Sequence, residues 1–324
     1  MLGKNGGCGF QGLEILLQPP RFMRFSSFIM LGCCALALAP VRGQERDFFS
    51  SYAPTVTNIS RGPVAVPLEV HPTAQIFFVR ARFGKNLEGR FLVDTGSAMT
   101  LVTPAFAKKL CAEFPRVNNW KVPAPPNAEP PRAVQVPLLT LGAMRYEEFT
   151  VATASLDHLS KPLKTQLDGI LGGNIIFARR CAFSVISRRL VLDAAEPVNI
   201  KPIACAAGGW EIGVPVTLDG QAKYFLLDSG ASRSTLPERD WHGAVVETGR
   251  ASRGDIAETL TGLKTCTAVI KELRIGEASL PWLKLTLIET RQRLLGADFI
   301  SHFLLTIDAE HGKLWLQPPS PYVQ

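Results

Sequence analysis

Of the 324 residues, 46% are hydrophobic and only 19% charged, which excludes a solvated, disordered chain and supplies apolar residues for one large or two modest cores. Glycine (27) and proline (24) are both plentiful, which favours short strands joined by turns over a helical bundle. The formal net charge is +7, but no basic run interleaves with aromatics, so no nucleic-acid partner is expected.

Residues 1–43 read as a leader. Arg24 is a short positive region, Phe25 to Ala39 is mostly apolar, and Val41 and Gly43 are small residues before a cleavage point at Gln44. The apolar run Phe28 to Ala39 is shorter than the roughly 20 residues that cross a bilayer. An exported protein, periplasmic or secreted, is therefore expected, with translation starting at Met23. Two alternatives stay open. The leader is retained as an apolar anchor, or Leu31-Gly32-Cys33, which resembles a lipobox, is lipidated at Cys33 to give a membrane-anchored lipoprotein. Loss of the leader removes Lys4, Arg21, Arg24 and Arg42 against one acid, Glu14, and brings the chain closer to neutral.

Residues 44–61 form an arm, either loose or adding an edge strand. After it the chain repeats itself. Residues 77–105 (FFVRARFGKNLEGRFLVDTGSAMTLVTPA) and 212–238 (IGVPVTLDGQAKYFLLDSGASRSTLPE) each read as strand, polar turn, strand, an Asp-hydroxyl-Gly turn and a further short strand. Gly84-Lys85-Asn86 and Asp219-Gly220 are the turns. Thr103-Pro104 predicts a helix start, threonine as cap and proline at the first position. Downstream, residues 167–192 and 291–316 match in the same order: two apolar residues, a glycine, then Asn174 or Asp298 as a helix cap, a short helix and two strands. The first half is placed at 62–193, a linker at 194–207, the second half at 208–318 and a tail at 319–324. Between its landmarks each half has one unmatched stretch, Pro-rich 122–137 and 249–262, placed at or near covering hairpins. The prolines argue against a central strand in 122–137.

Cys111, Cys181, Cys205 and Cys266 follow the leader. None is spaced as a metal pair and histidine is scarce, so no metal is expected. One disulfide within each half and four free thiols both remain open.

The chemistry concentrates in FLVDTGSA and FLLDSGAS. In each, an aspartate follows directly on apolar strand residues, so a charged group is brought to a buried strand end. Such a group needs donors or a partner that shares its proton. Related by a pseudo-two-fold, Asp94 and Asp228 would meet. Two adjacent carboxyls hold one proton between them: one accepts a proton from water while the other polarises a carbonyl.

Asp94-Thr95-Gly96-Ser97 and Asp228-Ser229-Gly230-Ala231 resemble the Asp-Thr/Ser-Gly motifs of the retropepsin-like and pepsin-like aspartic peptidases. Ile170-Leu171-Gly172 and Leu294-Leu295-Gly296 resemble their apolar-apolar-Gly loop motif. The resemblance spans about 62 to 318, in the manner of a bacterial tandem aspartyl protease with two retropepsin-like halves. It implies an all-β, bilobal, pseudo-two-fold fold of two β-barrel halves, a monomer with an intramolecular pseudo-dimer. It implies an aspartic endopeptidase without cofactor, acting on a peptide or protein substrate. Asp94 and Asp228 are then catalytic, and Thr95 and Ser229 cross-bond beneath them. Gly96 and Gly230 permit close approach, and Ser97 and Ala231 come next. A Ser97 hydroxyl donating to Asp94 predicts Asp94 as the ionised member and Asp228 as the protonated one. The alternative is a non-catalytic peptide-binding scaffold that keeps the fold. A domain-swapped dimer is a further possibility for assembly. Asp168, Trp120, Arg250 and Arg253 read as structural or solvent-facing. His242, His302 and His311 have no nucleophile elbow nearby in sequence.

Overall fold

The computed structural model describes residues 50–121, 132–218, 220–243, 247–250, 264–289 and 292–318. The leader with Cys33, residues 122–131, residues 251–263 with Arg253, and the tail 319–324 lie outside the described residues.

Two-residue alternation of apolar and polar side chains sets the strands. In Phe77–Phe83, Phe77, Val79, Ala81 and Phe83 are buried while Arg80 and Arg82 face outward. Glu211–Leu218 buries Ile212, Val214, Val216 and Leu218 in strict alternation. Phe77–Phe83 pairs antiparallel with Leu87–Val93, which runs parallel to Gly169–Leu171, itself antiparallel to Leu101–Val102. Leu101–Val102 lies parallel to Met144–Thr153, which pairs with Arg132–Leu141, and that strand returns to Phe77–Phe83. The ring therefore closes and leaves few open edges.

The second half repeats the ring with Glu211–Leu218, Gln221–Leu227, Leu294–Leu295, Thr235–Pro237, Ala278–Ile288 and Lys264–Ile275. The last of these returns to the first through Thr217↔Arg274 and Leu218↔Leu273. The chain is thus predominantly β and organised as two barrel lobes, as the repeat predicts.

A six-stranded sheet joins the lobes. Its strands are Ile203–Ala204, Lys313–Gln317, Leu304–Asp308, Cys181–Ser184, Arg189–Leu192 and Val64–Pro67. The seam between halves runs from Cys181↔Ile307 to Ser184↔Leu304. The linker supplies Ile203–Ala204. The arm supplies Thr55–Asn58, an edge strand antiparallel to Met144–Thr153.

The helix Pro104–Glu113 begins where Thr103-Pro104 predicts. Thr103 Oγ1 accepts from Phe106 N at 3.2 Å. The helix drives Phe106 between Phe83 and Phe91, with ring centroids 5.2 and 5.4 Å away. Replacing the cap by Thr103→Ala is expected to cost about 1 kcal/mol, read as a lower urea midpoint at unchanged slope.

Two expectations are corrected, and the cysteines take the second of their two open alternatives. Arg132–Leu141 is a ring strand despite Pro137. The pairing runs through Val136↔Phe149 and Leu138↔Glu147 but skips Pro137 and Glu148, and Glu148 takes φ 56°, so the missing N–H falls at a gap in the ladder. Asn174 and Asp298 are not caps: Gly172 and Gly296 occupy those positions, and both side chains turn inward. All four cysteines are free. Cys111 sits on the helix and Cys181 in the joining sheet, while Cys205 adjoins that sheet and Cys266 lies in the second ring. Neither same-half pair shares a structural unit. Burial pushes the Cys205 thiol up to about 12, away from the reactive thiolate.

Most of the two unmatched stretches lies outside the described residues, but their described flanks pair antiparallel. Asn119–Lys121 pairs with Arg132–Leu141, closing at Lys121↔Arg132. Glu247–Arg250 pairs with Lys264–Ile275, closing at Arg250↔Lys264.

Candidate active site

Each lobe carries its aspartate at the end of a ring strand, Asp94 after Leu87–Val93 and Asp228 after Gln221–Leu227. The backbone of each is held from behind by the apolar-Gly loop. Asp94 N donates to Leu171 O at 3.0 Å and Asp228 N to Leu295 O at 2.9 Å. Those loops approach closely because their glycines lack side chains. A Cβ on Gly172 would lie 2.4 Å from Met99 C, and one on Gly296 would lie 2.5 Å from Arg233 C.

The turn after each aspartate folds back onto its own carboxylate. Asp94 Oδ1 accepts from Gly96 N at 2.9 Å and Ser97 N at 3.1 Å. Asp228 Oδ1 accepts from Gly230 N at 2.9 Å and Ala231 N at 3.0 Å. Beneath them the lobes interlock. Thr95 Oγ1 donates to Leu227 O at 2.8 Å and accepts from Ser229 N at 2.9 Å. Ser229 Oγ donates to Val93 O at 2.7 Å and accepts from Thr95 N at 3.1 Å. Each hydroxyl thus satisfies one donor and one acceptor of the opposite lobe.

This interlock brings Asp94 and Asp228 together, and their side chains hydrogen-bond. Each carboxyl lies over the opposite glycine: a Cβ on Gly96 would be 2.5 Å from Asp228 Cγ, and one on Gly230 would be 2.5 Å from Asp94 Cγ. Any larger residue at either position would collide with the facing carboxyl.

Burial, then the charge of Asp228, holds the Asp94 carboxyl well above the usual range. Burial also raises Asp228, while the hydrogen bond with Asp94 and the N–H groups of Ala231 and Gly230 pull it back. Burial thus pushes both carboxyls toward the protonated form, and the pair is placed to hold one proton between them. The hydroxyl on which the expectation of an ionised Asp94 rests is engaged elsewhere: Ser97 Oγ donates to Met99 O at 2.9 Å, not to Asp94. The donor sets of the two carboxylates are equal, two backbone N–H groups each, and the Ser97/Ala231 difference does not reach them.

A second layer stands behind the dyad. Thr100 Oγ1 accepts from Gly172 N at 3.1 Å and donates to Asn174 Oδ1 at 2.8 Å. Ser234 Oγ accepts from Gly296 N at 3.0 Å and donates to Asp298 Oδ1 at 2.7 Å. Thr100 and Ser234 were not singled out from the sequence. Their signal was present, since each stands at the same distance after its aspartate and each is a hydroxyl residue. Asp298, largely buried, has its carboxyl raised by desolvation, against which the Ser234 hydroxyl and the N–H groups of Ser234 and Phe299 act.

The remaining candidates lie apart from this chemistry. Asp168 Oδ2 accepts from Arg90 N at 3.0 Å, a tie within the first ring. The matching residue in the second half is Gln292, and its neighbour Arg293 pairs with Asp240 at 2.6 Å. His311 Nδ1 meets Asp308 Oδ1 at 2.9 Å, and Arg180 occupies the other oxygen of Asp308. Trp120 and Arg250 lie on hairpin strands. Among the described residues no group of His, Cys, Asp and Glu is arranged to hold a metal.

Two closed β lobes joined by a shared sheet, with one aspartate turn from each meeting across a hydroxyl interlock, define a pseudo-dimeric, aspartic-peptidase-type architecture. The aspartyl protease family model matches residues 79–175 and, a second time, residues 214–299. The chain belongs to that family, with one copy in each lobe. No curated protein sequence matches the chain.

Proposed function

We propose that the protein is an aspartic endopeptidase whose nucleophile is a water held between Asp94 and Asp228. The observation that carries this reading is the carboxyl pair itself: hydrogen-bonded across the lobes, each with Oδ1 fixed by two N–H groups, and with one proton to share. The ionised member of the pair accepts a proton as the water oxygen bonds to the peptide carbonyl carbon. The protonated member donates to the carbonyl oxygen. Return of a proton to the amide nitrogen lets the C–N bond break, giving a carboxylic acid and an amine. An extended peptide lying between the lobes is the substrate geometry that such a pair serves, its backbone hydrogen-bonding like an added strand. The leader read at 1–43 supports work in an exported compartment.

The test is cleavage of a peptide library by the native chain, Asp94→Asn and Asp228→Asn, with products identified by mass. Cleavage confined to the native chain is expected. Cleavage shared by all three would reject the assignment to this pair, and cleavage absent from the native chain would leave a peptide-binding scaffold. Ser97→Ala is expected to leave the acidic limb of the pH–rate profile in place, because its hydroxyl is spent on Met99 O. A displaced limb would restore the hydroxyl to the dyad.

A further inference from the structure

The two lobes support their aspartates with the same hydroxyl bridge but end it differently. In the second lobe the bridge stops at Asp298, whose Oδ1 takes three donors: Ser234 N at 2.8 Å, Ser234 Oγ at 2.7 Å and Phe299 N at 2.8 Å. In the first lobe it continues. Asn174 Oδ1 accepts from Thr100 N and Thr100 Oγ1, both at 2.8 Å, and Asn174 Nδ2 then donates to Tyr52 O at 2.8 Å. Tyr52 belongs to the arm, far from Asn174 in sequence. The whole path is dry: Tyr52 is 2% exposed, and Thr100 and Asn174 are fully buried.

The arm is seated well enough to act as a fixed point. Thr150 N donates to Ser51 O at 2.8 Å, the Tyr52 side chain enters the main core, and Thr55–Asn58 extends the first sheet. A buried carbonyl and its donor resist separation, since leaving either unpaired costs its desolvation. From Tyr52 O the chain of contacts runs through Asn174 and Thr100 Oγ1 to Gly172 N, and the adjacent Leu171 O accepts from Asp94 N at 3.0 Å.

We propose that Asn174 is a positioning residue that ties the arm, through the Tyr52 carbonyl, to the loop bearing Asp94, so that docking of the arm sets the geometry of the first aspartate and not of the second. This rests on the reading of Asp94 as half of a catalytic dyad, but the tie itself is measurable without activity. The amide acts as a two-ended connector: its oxygen serves the bridge and its nitrogen serves the arm. Aspartate, the residue used in the second lobe, keeps the first end and loses the second. Serine, also used in the second lobe, is sufficient at position 100.

Amide hydrogen exchange and steady-state kinetics on the full chain test this with Asn174→Asp, Tyr52→Ala, Thr100→Val and Thr100→Ser. In the first three, the amides of Asp94, Thr100 and Gly172 are expected to exchange at least about 10-fold faster, while those of Asp228, Ser234 and Gly296 keep their native rates. Turnover is expected to fall about 10-fold or more with KM within about twofold, since misplacement of a reacting group acts on kcat. Thr100→Ser is expected to behave as native. Asn174→Asp and Tyr52→Ala combined should cost no more in kcat than the worse of the two, because the first removes the donor of the tie and the second unseats the arm that carries its acceptor. Exchange that rises equally in both lobes, or in neither, overturns the proposal even where peptide cleavage depends on Asp94. Altered exchange in the first lobe alone upholds the tie even where no cleavage is found, in which case only the enzymatic reading fails.

Discussion

At pH 7 Asp94→Asn is expected to unfold at a higher temperature than the native chain, while its peptidase turnover falls by about 10³-fold. The two effects have one cause. Burial and the neighbouring Asp228 raise the Asp94 carboxyl well above its ordinary value of 3.8. The folded protein therefore holds this proton to higher pH than the unfolded chain does. A raised acid contributes stability that is complete below the unfolded value of 3.8 and is lost as pH rises through the folded value. At neutral pH the native fold must either bury a second negative charge beside Asp228 or keep a proton that the unfolded chain has released, and either costs stability. Asparagine keeps the Oδ1 acceptor for Gly96 N and Ser97 N but cannot ionise, so it removes that cost and also the exchangeable proton that catalysis needs. Calorimetric scans from about pH 3 to 8 should show the two melting curves converging at the acid end and separating toward neutral. A variant that melts below the native chain at pH 7, or by a constant offset at every pH, would show that the dyad is not strained by its own charge.

The largest stability effect is expected at the interlock. Thr95 and Ser229 are 1% and 0% exposed, so nothing replaces their hydrogen bonds when a hydroxyl is lost. Thr95→Val keeps the volume but orphans Leu227 O and Ser229 N together. At about 1–3 kcal/mol for each buried unsatisfied group, the expected loss is about 2–6 kcal/mol in urea unfolding. Turnover should fall with it, because Ser229 N sits one residue from Asp228. Thr95→Ser, which copies the second lobe, should recover nearly all of both. A Val variant with native stability and turnover would mean that the lobes are aligned by the six-stranded sheet alone.

Local chemistry made much of this molecule legible. Repetition of an apolar strand, an Asp-hydroxyl-Gly turn and a later apolar-Gly pair foretells two similar lobes, since each feature is a short-range backbone requirement. Thr103-Pro104 foretells its helix for the same reason. Pro137 misleads because whether a missing N–H matters depends on a partner strand not adjacent in sequence. Asn174 and Asp298 look like caps, as such residues before short helices often are, yet the preceding glycine takes that place and frees them to reach inward.

By itself, then, the sequence determined the kind of protein: two β lobes, two aspartates, a glycine wherever backbone and carboxyl pass closely. Only the tertiary structure decided what those aspartates feel. The meeting of the two carboxyls, the burial that raises both and the tie from Tyr52 O to Asn174 all depend on groups distant in the chain. Their physics is that of burial, where a hydrogen bond or charge acts over a few ångströms and its partner is chosen by packing.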